Sequence, residues 1–228
     1  MTQALLDRYQ RVVEQIAEAT RTAGRDPSDV NLIAVSKTHP LEMLTPLVDA
    51  GQRDFGESYA QELRDKGGAL SGQPVRWHFI GRLQSNKARY IAPHAFRVHA
   101  LETVRQAEAL VARAPHGIDA LVAVNVGREA QKSGVLPEAL PDQLAALSGV
   151  QGLRLRGLMC LPPWSEDPEA SAPFFEELAH LAAQGRAAGH ALTELSMGMS
   201  ADAHVAVRYG ATWVRVGTAI FGPRASRA

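Results

Sequence analysis

Eight short apolar runs alternate with amphipathic segments along the whole chain, and few folds accept that pattern. The runs at residues 30–36, 53–56, 75–80, 96–99, 119–126, 153–158, 193–196 and 212–217 are bounded by polar residues, Gly or Pro and read as strands. Helical spacing falls between them, over 40–50, 57–66, 84–91, 102–113, 137–147, 168–185 and 201–209, with Gly67-Gly68 read as the stop of the second of these. Ahead of the first strand, Leu5, Leu6, Tyr9, Val12, Val13 and Ile16 recur at helical spacing, with Thr2 as a possible cap and Gly24 and Pro27 as stops. Strict alternation with no linker predicts an α/β fold with a parallel sheet. Eight strands predict a (β/α)8 barrel of the TIM type with an extra N-terminal helix, one domain over residues 1–228. The eleven residues after Gly217 are too few for a full closing helix, so the N-terminal helix is expected to cover that part of the barrel. The competing architecture is an open doubly wound sheet, which the lack of a dinucleotide fingerprint disfavours.

Charge and cysteine content exclude several classes of function. Lys plus Arg equals Asp plus Glu, 24 each, so the chain has no general attraction to nucleic acid or to an anionic membrane. The lone Cys160 rules out an internal disulfide and a cysteine-based zinc site, and no metal is expected. A reducing, cytoplasmic setting follows from the same cysteine usage. Residues 1–8 lack a basic segment followed by an apolar core, so no secretory signal is expected, and no apolar run reaches membrane-spanning length.

In a barrel the carboxyl ends of all strands share one rim, and ligands bind there. Lys37 follows the first run directly. Burial of an ammonium is costly and favours the neutral amine, which is a nucleophile towards carbonyls. The plain alternative is a loop lysine that reaches water. Beyond the seventh run lies Ser196-Met-Gly-Met-Ser200-Ala-Asp202, and beyond the eighth Gly217-Thr218. Free N–H groups at such positions attract an anion, and these two loops are the usual phosphate site of the fold. Ser200 could instead only cap its helix. Arg215 alternates with Val214 and Val216 and shares a face with Trp213 and Gly217. If that face lines the barrel the arginine needs a partner there; if not, it pairs outward with a helix carboxylate. A nucleophilic lysine beside a phosphate site suits a Schiff base with a phosphorylated sugar, as in aldolases, or with pyridoxal phosphate (PLP).

Several segments, in order along nearly the whole chain, sharpen this choice. They are Ala34-Val-Ser-Lys37-Thr38, Phe55-Gly-Glu57, Trp77-His-Phe-Ile-Gly81 with Leu83-Gln84 and Asn86-Lys87, Val124-Asn125, Lys132-Ser-Gly134, Gly157-Leu-Met159 with Pro162-Pro163, Leu195 to Asp202, and Val214 to Gly222. Together they resemble the pyridoxal phosphate homeostasis proteins, a barrel family related to the N-terminal domain of alanine racemase. The resemblance implies that Lys37 holds PLP as a Schiff base, that Ser200, Gly217 and Thr218 hold its phosphate, and that Arg215 contacts the pyridine nitrogen. Ser58 stands where the family has asparagine and is a weaker cofactor contact. The function so implied is intracellular PLP homeostasis, as a carrier or buffer without efficient turnover, with apo-PLP enzymes as acceptors and the chain a monomer. The alternative is a PLP-dependent amino-acid racemase or decarboxylase. Such racemases resemble this barrel plus a C-terminal β domain, absent here, and the candidates for a second base are His39, His78 and Lys132.

Overall fold

All eight apolar runs become parallel strands that join in chain order into a closed barrel in the computed structural model, which describes residues 2–223. The strands are β1 (Asn31–Val35), β2 (Asp54–Glu57), β3 (Arg76–Phe79), β4 (Ala95–Leu101), β5 (Ile118–Val124), β6 (Leu153–Cys160), β7 (Glu194–Ser196) and β8 (Trp213–Val216). The helices are α1 (Thr2–Thr22), α2 (Thr45–Asp49), α3 (Ala60–Ala69), α4 (Ala88–Ile91), α5 (Val104–Val111), α6 (Leu140–Ser148), α7 (Ala172–Ala187), α8 (Ala203–Arg208) and α9 (Thr218–Phe221). The barrel closes where β1 pairs β8, with Leu32 opposite Val214, Ile33 opposite Arg215 and Ala34 opposite Val216.

Strand alternation separates two interiors. Outward residues such as Ala34, Phe55, Val98, Val122, Leu158 and Val214 join the helices in one large apolar core. Inward residues form two small apolar clusters, Ile33, Val35 and Trp213 on one side and Ala100, Leu121, Ala123 and Met159 on the other. Other inward positions are polar and buried, among them Asp54, His78, Arg97, His99, Ser196 and Arg215.

Helix α1 buries Leu5, Val12 and Ile16 and packs on α8 and α9, as its apolar stripe requires. Arg8 Nε donates to Ile220 O at 2.7 Å, and Arg25 Nη1 donates to Val207 O and Ala211 O at 2.9 Å each. The N-terminal helix therefore covers the last part of the barrel, as expected.

Some boundaries differ from the sequence reading. Helix α3 runs through Gly67 and Gly68 to Ala69 rather than stopping at them. The reason is packing: a Cβ on Gly67 would lie 2.9 Å from His94 Nδ1, so glycine lets α3 lie against that ring. The segment after β1 is a single 3-10 turn, Leu41–Met43, followed by α2 with Pro46 in its first turn. Among the described residues no helix is long and apolar enough to cross a membrane.

Strands β6 and β7 approach closely at Gly157, where a Cβ would fall 1.8 Å from Glu194 O. Gly157→Ala is expected to destabilise the fold by about 3 kcal/mol, because backbone rather than a flexible side chain must yield. Denaturant unfolding checks this; an unchanged midpoint would contradict the packing of β6 on β7.

Candidate functional site

Two residues beyond the end of β1, Lys37 is half-buried at the carboxyl rim. Lys37, Ser58, Ser200, Arg215, Gly217 and Thr218 all line one cavity of about 290 Å3. The sequence reading named these six residues from four separate regions of the chain, and barrel closure brings them together.

A clamp fixes the backbone that carries Lys37. Thr38, with φ 67°, sits in the left-handed region that β-branched residues avoid. Its N–H donates to Glu62 Oε2 at 2.8 Å. On the other side of Lys37, Ser36 O accepts from Lys66 Nζ at 2.8 Å. Lys66 Nζ also reaches Glu57 Oε1 at 2.6 Å and Glu62 Oε2 at 2.9 Å, while Ser36 Oγ donates to Glu57 Oε1 at 2.7 Å. Glu57, Glu62 and Lys66 thus grip both peptide neighbours of Lys37; the sequence reading names Glu57 only within the Phe55-Gly-Glu57 segment and assigns none of the three a role at the site. The Glu62/Lys66 spacing on one helix is a usable signal; Glu57 is signalled only by its place in the Phe55-Gly-Glu57 segment. Burial pushes the Glu57 carboxyl up to about 7, against the lowering effect of Lys66 and Ser36. Its Oε2 has no partner among the described residues, which is why desolvation dominates.

The two loops on the far side of the cavity are held by the backbone. Gly198, with φ 89°, turns the chain after β7, and Arg215 N donates to its carbonyl at 2.9 Å. Asp202 Oδ1 accepts from Met199 N at 2.6 Å and its Oδ2 from Ser171 Oγ at 2.9 Å. Ser200 does not cap α8, whose N-terminal boundary residue is Asp202; Ser200 stays exposed at the cavity. At the exit of β8, a Cβ on Gly217 would approach Val35 O to 3.3 Å, so glycine lets this turn sit close on β1. His39 stacks on Phe221 with ring centroids 4.9 Å apart. Ser58 is positioned by close packing of its backbone on Gly81, where a Cβ would meet Ser58 O at 2.0 Å.

Arg215 points into the barrel, so the outward-facing alternative does not hold. Its Nη1 donates to Ser196 Oγ at 2.6 Å and its Nη2 to Cys160 O at 2.8 Å. Below it, His99 Nδ1 lies 2.9 Å from Ser196 Oγ, and His99 Nε2 lies 2.8 Å from His78 Nδ1. His78 Nε2 in turn lies 2.8 Å from Asp54 Oδ1, and Asp54 Oδ2 accepts from Arg76 Nη2 at 2.5 Å. Burial keeps both imidazoles below the ordinary histidine range, His99 well below it. Burial opposes ionisation of Asp54, but hydrogen bonds from His78 and Arg76 prevail and hold its carboxyl below the usual range.

Of the three candidates for a second base, only His39 lines the Lys37 cavity. His78 is fully buried inside the barrel, because strand parity turns it inward and β3 carries it below the rim. Lys132 lines an adjoining cavity, pairs with Glu129 and donates to Pro162 O at 2.9 Å. The cavity wall formed by Ile80, Leu161 and Met199 offers no proton acceptor on its side chains.

Fold and rim together define a (β/α)8 barrel with a lysine beyond its first strand and two polar loops beyond its last two. The chain belongs to the family described as alanine racemase, N-terminal domain, whose family model matches residues 8–225. It is 44% identical over 217 residues to a pyridoxal phosphate homeostasis protein of Pseudomonas aeruginosa, covering 94% of this chain and 93% of that one. A protein of the same name from Aquifex aeolicus is 39% identical over 222 residues, covering 96% and 97%. The solved structure of PipY from Synechococcus elongatus PCC7942 with PLP bound superposes with a TM-score of 0.78 at 37% identity, covering 91% of this chain and 100% of that one.

The clamp predicts a pH signature. The folded-state pKa of Glu57, about 7, lies above its unfolded value near 4.5, so the folded state holds the proton more tightly. Its contribution is full below the unfolded pKa and is lost as pH rises through the folded pKa. Wild-type stability relative to Glu57→Gln is expected to fall between about pH 5 and about pH 8. Parallel stability curves for the two proteins over that range would show that Glu57 does not titrate there.

Proposed function

We propose that this protein binds pyridoxal 5′-phosphate through Lys37 and serves as a carrier or buffer of the cofactor, without efficient turnover. The observation that carries this reading is the convergence of Lys37, Ser58, Ser200, Arg215, Gly217 and Thr218 on one cavity. The names of the relatives, and the PLP in PipY, support it. When bound, the cofactor supplies an aldehyde, which a lysine amine takes up with loss of water.

The residues present fit such a group at each end. The Ser200 and Thr218 hydroxyls, with the backbone beyond β7 and β8, offer hydrogen bonds to a phosphate. Arg215 has only donors and stays charged, so it suits an unprotonated ring nitrogen. Val35 and Ile80 give the cavity an apolar wall for the ring. Ser58 offers a shorter reach than asparagine and serves as an auxiliary contact.

Turnover needs more than this cavity holds. Racemisation requires a poised base on each face of the reacting plane. Lys37 provides one. The other titratable side chains at the cavity are Arg215, which cannot accept a proton, and His39, which is stacked on Phe221. Ser200, Thr218 and Met199 are exposed at the mouth, which favours hand-over of the cofactor to apo-PLP enzymes. The buried, unpaired Cys160 accords with action in the cytoplasm, and the reading requires no second copy of the chain.

After borohydride treatment and removal of free cofactor, the purified protein is expected to keep PLP covalently bound and Lys37→Ala to lose it; equally efficient trapping on the variant would refute the assignment. PLP is expected to bind at least about 100-fold more tightly than unphosphorylated pyridoxal, since two lost charge-assisted hydrogen bonds cost about 1.5–3 kcal/mol each. Equal affinities would remove the phosphate site. Incubation of the loaded protein with L-amino acids in deuterated water is expected to give no α-proton exchange near ~1–10³ s⁻¹. Exchange at such rates would support the racemase alternative instead.

A further inference from the structure

The polar side chains inside the barrel make an unbroken path from Arg76 at the amino end of β3 to Arg215 beneath the rim cavity, through Asp54, His78, His99 and Ser196. Its arrangement superficially matches a serine nucleophile with a histidine base and an aspartate. That use is ruled out by access, because Ser196, His99 and His78 are all 0% exposed. Ser196 Oγ is, moreover, already engaged by Arg215.

Hydrogen counting gives the path a direction. Arg215 can only donate, so Ser196 Oγ accepts from it and has one hydrogen left to give. The acceptor within reach is His99 Nδ1, which must then carry no proton. A neutral His99 carries its proton on Nε2 and donates it to His78 Nδ1. His78 donates from Nε2 to Asp54 Oδ1, and Asp54, paired with Arg76, is the ionised terminus. Every hydrogen is used once. The reverse direction would place a third cation in a buried layer that already holds Arg97 and Arg215. It would also leave the Ser196 hydroxyl hydrogen without an acceptor among the described residues.

We infer that Asp54, His78, His99 and Ser196 are positioning residues: a one-way relay with both imidazoles neutral and protonated on Nε2, which holds Arg215 in place at the floor of the rim cavity. The inference rests on the proposed role of Arg215 at the ring nitrogen. The relay passes no proton to the ring, because its last member cannot accept one. It supplies orientation, as the aspartate of a catalytic triad does when it fixes one histidine tautomer.

Two measurements test it. The first uses the full chain labelled with 15N at histidine, in long-range proton–nitrogen correlation spectra from about pH 6 to about pH 8. The relay predicts unprotonated Nδ1 and protonated Nε2 for both rings, with no titration. A proton on Nδ1 of either ring would overturn it, with or without cofactor and without any variant having to fold. The second compares binding of PLP with binding of its analogue bearing CH in place of the ring nitrogen. The wild type is expected to prefer PLP by at least about ten-fold, about 1.4 kcal/mol, and Ser196→Ala to lose most of that preference. Asp54→Asn is expected to switch the His99 tautomer from two residues away and weaken the same preference. A preference kept by both variants would overturn the relay alone. Equal binding of both ligands by the wild type would overturn the ring contact of Arg215.

Discussion

Pairing of β1 with β8 sets Ala34 beside Val216 and Ile33 beside Arg215, and the site follows from that register. Lys37 leaves the sheet two residues beyond Val35, and Gly217 leaves it directly after Val216. The two exits meet because the Gly217 backbone lies against Val35 without a side chain between them. A slip of one residue would turn Arg215 out of the barrel and Val216 into it. The ladder is specified strongly against such a slip, since the outward faces of both strands are part of the main apolar core.

The barrel interior is stabilised differently from its exterior. Helix packing buries apolar side chains against the outward faces of the strands. Inside, Arg97 pairs with Asp119 and Glu194, Trp213 Nε1 donates to Glu194 at 2.7 Å, and the histidine path occupies the neighbouring positions. Buried charges of this kind contribute little net stability and make each partner expensive to remove, since an uncompensated charge stays behind. Their effect is to restrict side chains to one arrangement. At the rim Glu57, Glu62 and Lys66 act in the same way on the Lys37 backbone, with Lys66 on Ser36 O and Glu62 holding the Thr38 N–H in a conformation that costs about 1–3 kcal/mol by itself. Rigidity beneath the cavity and exposure above it accord with the proposed carrier role.

The barrel was legible because strand and helix periods alternate cleanly along the chain and each strand exit carries its own punctuation. Lys37, Ser200 and Gly217-Thr218 were legible for the same reason: they stand at strand exits, where topology alone directs them to one rim. The partners of Arg215 were not. Strand parity gives its face but not which residues of β6 and β7 lie across the barrel, and register shifts in the β3–β4, β4–β5 and β5–β6 pairings break simple counting. His78 shows the consequence. Its place near the end of a strand suggested a base at the rim, whereas its parity and depth put it in the interior between Asp54 and His99. The Glu57/Lys66 clamp needed the distance between a strand end and a helix, which no local pattern contains. Gly67-Gly68 misled in the opposite sense, because a tight contact with His94, rather than a helix stop, calls for glycine at Gly67.

The central claim is chemical: one amine, that of Lys37, takes up the cofactor. Borohydride reduction of the PLP-loaded protein, followed by proteolysis and mass spectrometry of the peptides, tests it most directly. The account predicts a single reduced cofactor adduct on the peptide containing Lys37, at close to one per chain, with Lys66, Lys87 and Lys132 unmodified. An adduct centred on any of those other lysines, or spread evenly over them, would contradict it.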